Sequence, residues 1–100
     1  SKTTALLVQM LEHPSAEIRE AAGLALVKRG DARGLEEVVP AVRKGLLDDS
    51  VIKGLVKINN LRAHELLVLC VKSLSYGTSN QVAVDSLRIW EHRWGKRLKK

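Results

Sequence analysis

Apolar residues recur along the chain at spacings of three and four. Leu6, Leu7, Met10 and Leu11 form one stripe, and Ile18, Ala21, Ala22, Ala25 and Leu26 form the next. That period lines one face of an α-helix, whereas a half-buried strand needs alternation, which persists nowhere in the sequence. Turn formers and N-cap residues interrupt the pattern at His13-Pro14-Ser15, Gly30-Asp31, Asp48-Asp49-Ser50, Asn59-Asn60 and Gly77-Thr78-Ser79-Asn80. The spacing therefore predicts six helices, at 3–12, 15–29, 32–47, 50–59, 63–75 and 80–95. Pro40 falls inside the third and removes one intrahelical hydrogen bond, so a kink or local break is expected near residues 36–40.

The helices repeat. Leu6-Leu7-x-x-Met10-Leu11-Glu12-His13-Pro14-Ser15-x-Glu17-Ile18-Arg19 is echoed by Val38-Val39-Pro40-x-Val42-x-x-x-Leu46-Leu47-Asp48-Asp49-Ser50-x-Ile52-Lys53. A weaker third copy runs Leu66-Leu67-x-x-Cys70-Val71-x-x-Leu74 and, after the Gly77 turn, Val82-Ala83. A unit of this length is one helical hairpin, which buries its apolar face by stacking on its neighbours.

On these residues the chain resembles HEAT repeats, particularly the short HEAT-like type of phycobilin lyases and of bacterial and archaeal scaffolds. The stretch Glu17-Ile18-Arg19-Glu20-Ala21-Ala22-x-x-x-Leu26, followed by Gly30-Asp31-Ala32-Arg33, carries the match, and Pro40 sits where such repeats often bend their first helix. The resemblance covers residues 5–58 and departs after 62. There Ala83 stands where Arg19 and Lys53 stand in the first two units, and Ser75 where Glu12 and Asp48 stand. It implies an all-α fold, a right-handed α-α superhelix of about three antiparallel helix pairs in a single domain, with pairs at 3–29, 32–59 and 63–95 and a basic tail at 96–100. A closed six-helix bundle is the competing architecture, and the internal repeat argues against it.

Composition narrows the function classes. The core must be aliphatic, because Phe is absent and Trp90, Trp94 and Tyr76 are the aromatic residues. No apolar run approaches the roughly 20 residues of a membrane span, and the chain does not open on a signal-peptide pattern. Cys70 is the single cysteine and has no internal disulfide partner, which suits a reducing, cytoplasmic setting. The net charge of +6 is concentrated near the end, in Arg88, Arg93, Lys96, Arg97, Lys99 and Lys100, opposed there by Glu91.

Catalysis needs convergent groups, and His13, His64 and His92 have no metal-ligand spacing; no nucleophile motif or phosphate-cradling glycine loop is present. No catalytic residue, metal or cofactor is expected. His64-Glu65 has the order of the iron-binding pairs in HEAT-like hydroxylases, but one pair does not make a di-iron site, and His64 reads as an exposed first-turn residue. Cys70 reads as a small buried hydrophobe and Asp48-Asp49-Ser50 as capping chemistry. In HEAT solenoids the second helices line a concave surface, which here carries Arg19, Lys53, Lys57, Arg88, Arg93 and Lys96. Such a surface attracts an acidic protein or peptide, or in the alternative a nucleic acid whose affinity falls with salt. Its rival is a merely solvated face. Trp90 and Trp94, four residues apart, either pack on the preceding helix or stay exposed as an anchor for a partner. The expected function is thus a non-catalytic scaffold module; a nucleic-acid-binding HEAT-like module and a subunit of a HEAT-like metalloenzyme or chromophore lyase are the alternatives.

Overall fold

The computed structural model describes residues 2–74 and 77–98. Ser1, Ser75, Tyr76, Lys99 and Lys100 lie outside them, and with them the end of the predicted fifth helix and the last of the basic tail. Among the described residues the chain is all-helical: α1 (Lys2–Met10), α2 (Ala16–Lys28), a 3-10 segment (Ala32–Val38) that runs into α3 (Val39–Arg43), α4 (Asp49–Leu55), α5 (Leu61–Ser73) and α6 (Gly77–Trp94), followed by a 3-10 turn at Gly95–Leu98.

Each predicted helix is present, and its limits have local causes. The expected break near Pro40 is a change of helix type at Val38, with Pro40 in the first turn of α3, where its missing N–H has no intrahelical acceptor to lose. The third helix was expected to reach residue 47 but ends at Arg43. Gly45 stops it at φ 68°: its N–H goes back to the Val42 carbonyl and the Leu46 N–H to that of Ala41. The same pair of bonds ends α2, where Gly30 at φ 81° donates to Val27 and Asp31 to Leu26. This is the Schellman closure, which needs a left-handed residue and so favours glycine. Asp31 then starts the 3-10 segment, its carboxylate accepting from the Arg33 N–H and guanidinium at 3.0 and 2.7 Å, which holds its carboxyl below the ordinary value.

The sixth helix begins earlier than predicted. Residues 77–80 are expected to form a turn, yet they belong to α6, whose first turn is held by the side chains of Ser79 and Asn80. Ser79 Oγ donates to Asp49 Oδ1 at 3.0 Å, and Asn80 Nδ2 donates to the Val71 and Leu74 carbonyls. Asp48 occupies the N-cap position of α4 and accepts from Ser50 Oγ instead of capping a backbone N–H.

Two of the three expected pairs pack as pairs, whereas the 3-10 segment of the middle one packs chiefly on α2, and α3 packs on α5. α1 lies on α2 and α5 on α6; α2 also touches α4, and α4 touches α6. One apolar cluster runs through these elements, from Val27 and Leu35 through Val42, Ile52, Leu55, Leu66 and Cys70 to Ala83 and Trp90. α1 stands apart from it: none of its residues is buried, and Leu6 is 59% exposed.

Cys70 is buried in this cluster, and desolvation pushes its thiol up to about 12. The thiolate is the reactive form, so alkylation of the native protein at mild alkaline pH is expected to run at least about a hundredfold slower than after denaturation. Mass spectrometry of iodoacetamide time courses checks this, and equal rates would contradict the burial.

Candidate partner-binding surface

The C-terminal helix is fixed first by its tryptophans. Trp90 is fully buried, and its indole Nε1 donates to the Ile58 carbonyl at 2.8 Å; Trp94, half-buried one turn later, donates to the Val56 carbonyl at 2.8 Å. Of the two readings left open for this pair, Trp90 is packed, while Trp94 keeps part of its surface exposed. The carbonyls they take lie just past the end of α4, which gives these groups side-chain donors where the helix no longer supplies backbone ones. α4 was expected to reach residue 59 and stops at Leu55.

On its other flank Trp90 meets His64 of α5, with ring centroids 4.9 Å apart, and His64 Nε2 lies 2.8 Å from Glu91 Oε2. The expectation of an exposed His64 is therefore corrected: its side chain is 18% exposed because the ring bridges α5 to α6. Arg62, on the same helix, bonds Glu36 at 2.9 Å across to the 3-10 segment, and Glu36 holds its guanidinium pKa above the ordinary value. Among the described residues no three His, Cys, Asp or Glu side chains gather as a metal site. No helix among them is long and apolar enough to cross a membrane.

With α6 fixed to α4, their outer sides form a cleft of about 380 Å3 lined by Lys53, Val56, Val82, Asp85, Ser86 and Ile89. Positions 82, 85, 86, 89 and 93 share one face of a helix, so Arg93 continues the α6 wall of this cleft by one turn. Its guanidinium carbon also sits 5.7 Å from the Trp94 ring centroid, a cation–π distance. Lys53 is exposed at the α4 wall, and Lys57 follows it one turn later with its stem over Gly30. Lys96 is exposed beyond α6, and Arg88 is exposed but faces about a third of a turn away from the cleft row.

Arg19 does not join them. Its guanidinium donates to the His13 and Pro14 carbonyls at 2.7 and 2.9 Å, closing the turn between α1 and α2. Compared with protein-family models, with curated proteins and with solved structures, the chain has no match in any of the three. The surface thus has to be read from its own chemistry.

Sequence reasoning overlooked the apolar part of this surface. Val56 and Ile89 are not singled out by the pattern and Val82 reads there only as a repeat position, although Ile89 lies off the stripe formed by Ala83, Leu87, Trp90 and Trp94. It is 52% exposed. Asp85, between the cations, accepts from Gln81 Nε2 at 2.8 Å.

Proposed function

We propose that the chain is a non-catalytic binding module of HEAT-like type whose α4–α6 face engages an acidic protein or peptide. The observation that carries the reading is the exposure of Lys53 on α4, Arg93 on α6 and Lys96 just beyond it, with the two helices joined by the paired indole bonds. A fixed cluster of like charge raises the local concentration of oppositely charged partners and speeds their encounter.

The HEAT-like part of the proposal is supported by the serial contacts of α2 with α4 and of α4 with α6, and by those of α3 with α5. Stacked hairpins in a right-handed superhelix would make these contacts and leave the second helices as one wall. A binding role is supported further by Cys70 and His64, both taken up in packing. A cytoplasmic setting suits a lone thiol. A phosphate backbone calls for an unbroken basic track, and Asp85 and Ile89 interrupt this one, which favours a protein partner over a nucleic acid.

Titration of labelled polyglutamate, duplex DNA and single-stranded DNA at low and high salt tests the proposal. Polyglutamate is expected to bind at low salt and to lose about tenfold in affinity when Lys53→Glu and Arg93→Glu are combined. No binding of polyglutamate at low salt overturns the reading. Tighter binding of DNA, with a steep salt slope, replaces it by the nucleic-acid alternative.

A further inference from the structure

We infer that the α4–α6 cleft is an anchor pocket for one aliphatic side chain, so that the preferred partner is an acidic peptide interrupted by a leucine or isoleucine. The inference rests on the acidic-partner reading of this face and adds what charge alone does not specify.

Three observations carry it. The apolar lining, Val56, Val82 and Ile89, shares the cleft with Lys53, and Arg93 lies on the same face of α6 one turn beyond Ile89. The volume of about 380 Å3 is near the lower end of ligand pockets, roughly 300–1,000 Å3, which suits one side chain better than a large cofactor. The walls are also held before binding: the Val56 carbonyl, on the α4 side, accepts from Trp94 Nε1, and α6 is tied at its other end by Ser79 to Asp49. A pocket already formed spares the partner the cost of ordering it.

The occupant is chosen by charge complementarity. Carboxylates on either side of an aliphatic residue meet Lys53 and Arg93, and the aliphatic group covers the exposed part of Ile89. Asp85 is already bonded by Gln81, and it disfavours a carboxylate in the pocket itself while leaving an uncharged side chain unopposed.

Anisotropy titrations with two labelled peptides test this, one of glutamates around a central leucine and one with serine in its place, each at low and high salt. The leucine peptide is expected to bind about tenfold tighter, and the ratio to survive high salt, because screening weakens the ionic contacts and not the apolar one. Ile89→Asp and the milder Ile89→Ser should bring the two peptides to the same affinity. Both change an exposed position, so their circular dichroism melts should match the parent.

Equal binding of both peptides, lost together in salt, overturns the pocket while the acidic-partner surface stands. Failure of both at low salt removes the surface and the pocket with it. Self-association in sedimentation that Ile89→Asp abolishes would also overturn the proposal, by showing a second copy of the chain in the cleft.

Discussion

Trp90→Ala is expected to lower the stability of the protein by about 3–5 kcal/mol, the range for deleting a large aromatic from a core. Trp90 has no exposed surface and fills the junction of α4, α5 and α6, where it touches His64 and bonds to the Ile58 carbonyl. Small domains have about 5–15 kcal/mol in total, so this loss would leave a sizeable unfolded fraction near physiological temperature. Trp90→Phe separates packing from hydrogen bonding. The Ile58 carbonyl also accepts from the Asn60 N–H at 2.9 Å, so it is not left unpaired, and the cost of the lost indole bond should stay near about 1 kcal/mol. Urea melts of the two variants check this; losses of similar size would mean that the indole bond, not the ring, holds α6.

The second large effect is at Gly54, on the face of α4 that meets α2. A Cβ there would lie 2.9 Å from the Lys28 Cα and the Val27 carbonyl carbon. Both are backbone atoms, which do not swing aside as a side-chain end does, so α2 and α4 must separate. Alanine gains up to about 1 kcal/mol of helix propensity over glycine, and overpacking costs about 1–3 kcal/mol or more. Against backbone the upper part of that range applies, and Gly54→Ala is expected to destabilise by about 2 kcal/mol, with Gly54→Val worse. Gly95→Ala is the control: its added carbon has Glu91 Cβ at 4.0 Å as its nearest neighbour, and the change should be close to neutral. Equal melts for the two alanine variants would contradict the tight α2–α4 crossing.

The helices were legible because their causes are local. Apolar residues at helical spacing and turn formers such as Gly30-Asp31 act over a few positions, and they set α1, α2 and α5 to within a few residues. Gly45 carried the same kind of signal and was read through, which extended the third helix past its stop. The early end of α4 was not legible, since the carbonyls just past it, of Val56 and Ile58, are taken by Trp94 and Trp90 from more than thirty positions away. The earlier start of α6 likewise depends on Asp49 and on the end of α5, which Ser79 and Asn80 reach only once the helices are packed.

The candidate surface divides along the same line. Lys53, Lys57, Arg88, Arg93 and Lys96 follow from charge and helix order, and all five are exposed. Arg19 follows on the same ground, but its guanidinium closes a turn through two backbone carbonyls, a use that residue type alone does not reveal. The cleft is a property of two helices side by side. Ile89 was visible in the sequence as an apolar residue off the core stripe, but Val56 and Val82 become its neighbours only through the α4–α6 contact.

The most direct test of the proposed binding face is a two-dimensional amide NMR titration of the whole chain with the glutamate peptide that carries a central leucine. Shifts that saturate together at Lys53, Val56 and Lys57 and along residues 82–96 are expected, with α1 unchanged. Shifts confined to α1, or no shifts at low salt, would contradict it.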